Sequence, residues 1–448
     1  MAGTRRRALG AWIRRAGRSA RRHPGRTGAM AGFLVGVLLV GLVLYAYPSL
    51  TGDEWEDGEI VLLSGQDDSA GDQRQALIEE WNQLHPDHRA RIEEVNSIAD
   101  AERSEMLARA DGDGSDVDVL NLDVAWLPEF AEAGLLRKFP DDRVDRDAFL
   151  RQPLTSCEYD GTLWALPFNT DAGLLYQRSD LVKRAPTTWE DMRAETAGVL
   201  GGDPPKGTVP DAGFVTQLDD YEGLTVNALE AVWSTGGEIV DDEGEVRVDS
   251  AAASEGLLRL VNGVRPDGDA WPMILRESLV LSEQPSTTAF RNGRALFLRM
   301  WPVAYRTLTD PGESGTTGVK FAVSPLPWPS VLGGQNLAIA KRSEHPRAAR
   351  ALIEFLTDSR SQQILFERGG FAATRKVVYT DAEVKRRYPY ADELYKAVEG
   401  ARLRPRSPHY ALFSEVLREA VHEGLVTGAW PPPHLADDLR AALRGQRR

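Results

Sequence analysis

Apolar residues in this chain fall alternately into solid blocks and into stripes spaced three and four residues apart. Glu59-Ile-Val-Leu-Leu-Ser predicts a strand covered on both faces, because an unbroken apolar run of that length is too short for a helix. The following segment sets Leu77, Trp81 and Leu84 at i, i+4 and i+7, the spacing of one helix face. Asp116-Val-Asp-Val-Leu-Asn-Leu predicts a second strand and Pro128 to Leu136 a helix. Further along, Glu222–Trp233 and Ala251–Val261 predict helices, and Ala295–Met300 and Asn336–Ala340 predict strands. From Pro346 onward, Ala348, Leu352, Phe355 and Leu356 make one stripe, with the proline in the first turn where its missing N–H does no harm. The last quarter reads as helical, broken at residues 405–408 and 431–433. Strand and helix signals in alternation predict an α/β body.

The N-terminus follows a different pattern. Ala29 to Tyr47 is uncharged and almost wholly apolar, near the lower length limit for a spanning helix, with Tyr45 and Tyr47 placed for an interface. Nine arginines precede it and Asp53, Glu54, Glu56 and Asp57 follow it. This predicts a basic cytoplasmic arm (1–28), a transmembrane anchor (29–50) and a short acidic tether (51–58), with the body outside the cytoplasm. A cleaved signal peptide is the competing reading, and Leu44-Tyr45-Ala46 is a poor small-x-small cleavage site. No cysteine lies near the apolar segment, which excludes a lipid-bearing cysteine there.

Charge sharpens the division. The whole chain of 448 residues carries −14, and taking away the +9 of residues 1–52 leaves −23 on the rest. An acidic body is repelled by nucleic acid, which excludes that class of partner. One cysteine, Cys157, allows no intrachain disulfide and no cysteine-based metal cluster, and is expected as a buried small hydrophobe.

Catalytic signatures are missing. The seven histidines make no His-Glu-x-x-His, and His85-Pro-Asp-His88 reads as a solvated turn. There is no phosphate loop and no nucleophile elbow. Asp111 to Asp118 imitates a calcium loop but has Asp116 where the sixth-position glycine is required and Leu122 at the twelfth. Asp241-Asp-Glu-Gly244 reads as a hairpin turn. No cofactor and no metal are expected. Paired carboxylates acting on glycans stay open as an enzymatic alternative. What does stand out is aromatic and polar residues at strand ends: Gln66 and Asp67, Asp123 and Trp126, and Trp301. Aromatic faces stack on the C–H face of a sugar while planar polar side chains bond its hydroxyls, and open α/β sheets bind ligands at the carboxyl ends of their strands.

From about Glu59 to Gly428 the chain resembles the extracellular solute-binding proteins of ABC sugar importers, the maltose-binding-like group. The resemblance is carried in order by Asp116 to Leu136, by Tyr159-Asp-Gly-Thr-Leu-Trp-Ala-Leu-Pro-Phe-Asn-Thr-Asp, and by Pro186-Thr-Thr-Trp. It continues through Ala289 to Pro302, Leu332-Gly-Gly-Gln-Asn-Leu-Ala-Ile-Ala, and Arg402 to Ser414, the last block resembling trehalose-type proteins. The resemblance implies a two-lobed, type II periplasmic-binding-protein-like fold with several interlobe crossings. One lobe would hold 58–168 plus 329–376, the other 169–328 plus 377–448. It further implies that Asp123 and Asn169 bond sugar hydroxyls and that Trp301 stacks on the ring. Gly333 and Gly334 would let backbone approach the ligand, Arg404 would reach in from the last block, and Gln66, Asp67 and Trp126 would be additions. The function expected is capture of a sugar, trehalose or another di- or oligosaccharide, for ABC permease subunits, by a monomeric body that is not an enzyme. The alternative is a tethered sensor that passes lobe closure to a membrane signalling partner. The anchor helix departs from the family's usual lipid attachment.

Overall fold

The computed structural model describes residues 55–447, apart from 68, 70, 96–98, 113–114, 203–208, 266–270 and 310–317. The basic arm, the anchor and the tether up to residue 54 lie outside the described residues. Among the described residues no helix is long and apolar enough to cross a membrane. Glu56–Arg448 forms one unit. Its first residue already belongs to the body, since the Glu56 carboxylate accepts from the backbone N–H of Arg347 (2.9 Å) and Ala348 (3.2 Å) at the start of the helix Pro346–Leu356. A carboxylate there satisfies orphan N–H groups and suits the helix dipole.

The strands in chain order are β1 (Ile60–Ser64), β2 (Ala90–Glu94), β3 (Val119–Asp123), β4 (Glu158–Tyr159), β5 (Thr162–Leu163), β6 (Ala165–Ala172), β7 (Leu174–Arg178), β8 (Ala212–Val215), β9 (Ala295–Met300), β10 (Phe321–Pro325) and β11 (Leu332–Ile339). They form a five-stranded sheet in the order β2-β1-β3-β11-β6, a four-stranded sheet in the order β10-β7-β9-β8, and the small β4-β5 hairpin. β1 runs parallel to β2 and β3, whereas β11 lies antiparallel to both β3 and β6. Every residue of β1, β7 and β9 is buried, as expected of strands covered by helices on both faces.

The predicted elements are present with shifted edges. The first helix spans Gln73–Leu84 and buries Leu77, Ile78 and Trp81, but Leu84 is 58 % exposed because it ends the helix just before the chain turns at His85. The strand predicted from Asp116 begins only at Val119. Asp118 is instead a buried side chain that accepts from the Val61 backbone N–H (3.0 Å) and the Ser343 hydroxyl (2.6 Å). The helix predicted to Leu136 stops at Glu132, and Gly134 follows with φ 70°, a left-handed turn that a residue with a Cβ adopts at a cost. Thr188 caps the helix Trp189–Leu200 by accepting from the Asp191 N–H at 3.0 Å. Cys157 is fully buried and burial pushes its thiol pKa well up, as befits a packing residue.

The chain passes from the first sheet to the second through one residue, Gly173, between β6 and β7, and returns through residues 326–331 between β10 and β11. The first passage comes a few residues after the implied lobe limit between 168 and 169, and the second spans the implied limit between 328 and 329. A third strand of chain, at Ala401 and Arg402, lies alongside Val331. Ser330 laces all three. Its hydroxyl accepts from the Gly173 N–H (2.5 Å), its carbonyl accepts from the Arg402 N–H (2.8 Å), and the Arg402 carbonyl accepts from Leu332 (2.8 Å). Directly behind the lacing, Glu230 and Arg299 form a bidentate pair (2.9 and 2.7 Å) with side chains 3 % and 1 % exposed, and Glu230 also accepts from the Val331 N–H at 3.0 Å. A single apolar core continues across this seam, from Leu150 and Ala172 through Tyr176 and Leu298 to Tyr379 and Leu394.

Two substitutions test this description. Glu230→Leu leaves the Arg299 charge buried without its partner, so a loss of roughly 3–5 kcal/mol of unfolding free energy is expected in urea titration, and an unchanged midpoint contradicts the pairing. At Gly334 the backbone has φ 106°, and a Cβ there would stand 2.3 Å from the Asn169 carbonyl oxygen and 2.6 Å from the Thr170 Cα. Those are backbone atoms that cannot turn aside, so Gly334→Ala is expected to lose about 2–4 kcal/mol in the same titration.

Candidate functional site between the sheets

Strand register gathers a row of polar side chains where β3, β11 and β6 lie together. Gln335 pairs with Asp123 on one side and with Asn169 on the other, and Gly333 pairs with Asp171. Paired residues share a face of the sheet, as do residues two apart on one strand. Asp123, Gln335 and Asn169 therefore form one row, and Gly333 and Asp171 form the next row on the same face. Asn169 is 2 % exposed, yet neither its amide nitrogen nor its amide oxygen has a protein partner. A buried amide left in that state costs about 1–3 kcal/mol. Such a group calls for a ligand or an ordered solvent molecule.

Gly333 sets the width of the site. A Cβ at this position would lie 3.2 Å from the Asp171 Cβ and 3.4 Å from the outer ring atoms of Trp301, so the glycine lets the indole edge and Asp171 close in on the strand. Trp301 follows β9 directly. Its carbonyl accepts from the Tyr176 hydroxyl at 3.0 Å, and the Arg299 guanidinium carbon stands 3.8 Å from its ring centroid. Arg299 is itself fixed by Glu230, so one face of the indole is held by a cation with no freedom to move.

Arg404 crosses the space between the two sheets. It donates to Asp123 Oδ1 (2.5 Å) at the end of β3 and to Glu222 Oε1 (2.8 Å) at the start of the helix Glu222–Trp233. Glu222 also accepts from the Ser414 hydroxyl (2.6 Å) and from the Tyr410 hydroxyl. Burial alone would lower the Arg404 pKa, but the Asp123 and Glu222 carboxylates and the Tyr410 hydroxyl oxygen outweigh it and raise it, keeping the guanidinium charged. Arg418, one turn beyond Ser414 on the same helix, makes a second tie, to Asp100 (2.8 Å) on one side and Asp220 (3.2 Å) on the other.

The residues expected from sequence are therefore unequal in placement. Asp123, Asn169, Gly333, Gly334, Trp301 and Arg404 come together. Trp126 is buried one turn beyond Asp123, with its backbone N–H donating to the Asp123 carbonyl (3.0 Å). Gln66 is exposed in a loop whose carbonyls are gripped by Arg74 (2.8 Å each at Gly65 and Gln66). Asp67 stands apart from the rest: its two oxygens accept from the N–H groups of Ser69 (2.9 Å) and Arg74 (3.1 Å), so both are spent on shaping that loop. Sequence reasoning missed Gln335 and Asp171, although each sits two positions along a strand from a residue that was found. Glu222 and Glu230 were missed as well, and their signal was two acids in an otherwise apolar and polar-neutral helix. Among the described residues no group of three or more potential metal ligands gathers.

Comparison with known proteins agrees with the fold. A probable ABC transporter-binding protein of Deinococcus radiodurans is 29 % identical over 338 residues, covering 72 % of this chain and 78 % of its own. Maltose-bound MalE3 of T. maritima superposes with a TM-score of 0.74 at 29 % identity, covering 86 % of this chain and 98 % of that one. The GacH receptor of Streptomyces glaucescens shares the two-lobed fold with a TM-score of 0.71 at 21 % identity over 88 % of this chain and all 100 % of its own. The profile of the bacterial extracellular solute-binding proteins matches residues 76–391, well over half of the sequence, and this chain belongs to that family.

Proposed function

We propose that the protein captures a sugar, a disaccharide or short oligosaccharide, between its two lobes and presents it to the permease of an ABC importer. The observation that carries this reading is the unpartnered amide of Asn169 in the row Asp123–Gln335–Asn169, set beside the immobilised ring of Trp301. Hydroxyls bind a planar amide through both its donor and its acceptor, while the open face of an indole takes the apolar side of a pyranose. The maltose in MalE3 and the transporter role named for the Deinococcus protein support it. Trehalose is a candidate on the strength of the Arg402–Ser414 block.

In this reading Asp123, Gln335 and Asn169 bond hydroxyls, Trp301 stacks, and Gly333-Gly334 brings backbone up to the ligand. Gln66 and Trp126 border the site from the β1 and β3 loops, and Asp67 acts through the loop it shapes. Arg404 has a double part, since it binds at the cleft and also joins Asp123 to Glu222. Opening the lobes separates those two acids, so ligand contacts and the Arg404 bridge favour the same closed arrangement. The body works outside the cytoplasm, held by the 29–50 anchor. Turnover plays no part.

Binding measurements test the reading. Titration calorimetry of the full-length chain against maltose, trehalose and maltotriose is expected to find a ligand with micromolar affinity, and silence from all three at millimolar concentration overturns the sugar assignment. Trp301→Ala is expected to weaken that ligand by about 1–3 kcal/mol. Asn169→Leu separates binding from folding: removing the bare amide is expected to leave the unliganded protein as stable or up to ~2 kcal/mol more so, while affinity falls roughly tenfold or more. Equal affinity in wild type and Asn169→Leu removes Asn169 from the site.

A further inference from the structure

Two arginines reach from one lobe to the other, and each holds an acid on either side. Arg404 holds Glu222 and Asp123. Arg418 repeats the arrangement in a more exposed setting. It stands on the helix Tyr410–Thr427, which packs on the helices Glu222–Trp233 and Ala251–Val264 of the second lobe. On that side it faces Asp220, in the loop that leads from β8 to Glu222, at 3.2 Å. On the other it meets Asp100 at 2.8 Å, in the first turn of the helix Ala99–Asp111 that links β2 to β3 of the first sheet. Arg404 is 4 % exposed, whereas Asp100 and Asp220 are about half exposed, at 52 % and 49 %. The Arg418 contacts are loosely made as well. Its Nε faces Asp220 without the alignment of a hydrogen bond, and both Nε and Nη1 are buried with no acceptor, which leaves Nη2 to hold Asp100. A guanidinium gripped through one nitrogen swings away more readily than one held by two, as Arg299 is by Glu230. Because Asp220 stays on the same lobe as Arg418, parting the lobes breaks one pair and keeps the other, and the half-exposed Asp100 returns to water.

We infer that Arg418 and Asp100 are positioning residues for closure, a releasable latch that biases the lobes toward the closed arrangement before any ligand arrives and so tunes affinity without touching the ligand. The inference rests on the lobe closure of the proposed function and not on what the ligand is. A ligand that binds the closed arrangement has its affinity scaled by the fraction of protein already closed. An exposed ion pair shifts such an equilibrium by a factor of about 1.5–5. Being exposed, it is also screened by salt, which the buried Arg404 bridge resists. Affinity for an uncharged ligand therefore falls as salt rises, although the ligand itself carries nothing to screen.

Spin labels at Ser104→Cys and Glu423→Cys, exposed positions just beyond Asp100 and Arg418 on their own helices, report the bridge by double electron–electron resonance on the unliganded full-length chain. The native Cys157 is fully buried and takes no label. Asp100→Asn is expected to raise the ratio of open to closed separations about two- to fivefold, and Asp100→Glu to restore it. Asp220→Asn is expected to act in the opposite sense, because Arg418 then has less to hold in the open arrangement, whereas a general structural defect moves both variants the same way. Raising sodium chloride from about 20 to about 500 mM is expected to open the wild type, and Asp100→Asn to lose most of that response. A ratio equal in wild type and Asp100→Asn, or an Asp220→Asn chain that opens as well, overturns the latch and leaves the sugar reading intact. Calorimetry with maltose, trehalose and maltotriose completes the test. For the sugar that binds, Asp100→Asn is expected to weaken affinity in proportion to the fall in the closed fraction, and unchanged affinity overturns the tuning role. Silence from all three sugars with the distance shifts intact overturns the sugar reading and leaves the latch standing.

Discussion

The buried pair between Glu230 and Arg299 is the interaction on which the remainder of the molecule depends. Removing two charges from water is costly, and here the cost is offset by bidentate geometry and by a third hydrogen bond from the Val331 backbone. From that point the pair reaches in two directions. Toward the crossings it supports the chain beside Ser330, where three passages between the sheets are laced by a single hydroxyl and two carbonyls. Toward the cleft it holds the guanidinium under Trp301. The crossings and the Trp301 indole thus share one support.

The helix Glu222–Trp233 brings this together. Nearly all of it is buried, and its two acids each hold an arginine: Glu222 takes Arg404 from the cleft and Glu230 takes Arg299 from β9. Its uncharged polar residues are consumed internally, Asn227 by the Gln217 and Gly223 carbonyls and Thr225 by Ser414. The helix is thereby fixed to its surroundings, and Arg404 joins it to Asp123 on the first sheet.

Much of this was legible in the order of residues, and the reasons differ from element to element. β1 and β9 could be read because fully covered strands are unbroken apolar runs, and the Pro346 helix because its stripe is regular. Leu84 misled because periodicity carries no information on where a helix leaves the core. Asp118 misled because an acid inside a strand-like run looks like any other until its partners, Val61 and Ser343, arrive from distant parts of the chain. Asn169 and Arg404 are reached only through the resemblance, whereas Trp301 already stands out as an aromatic at a strand end. Asp171 and Gln335 needed the register of β6 against β11, which no stretch of sequence displays. Glu222 and Glu230 needed the third dimension outright, since their partners lie 182 and 69 residues away.

Asn169 has a consequence for what the cleft can distinguish. Its amide has a proton to give and a lone pair to accept with, side by side in a fixed plane, and the protein meets neither demand. A hydroxyl answers both, while an ether oxygen, a methyl group or a halogen of similar size answers one or none. Under the proposed sugar-binding role the position reads chemistry where the tryptophan reads shape, and would tell a sugar from its deoxy or methylated relatives through the cost of a group already buried, before any new contact is counted.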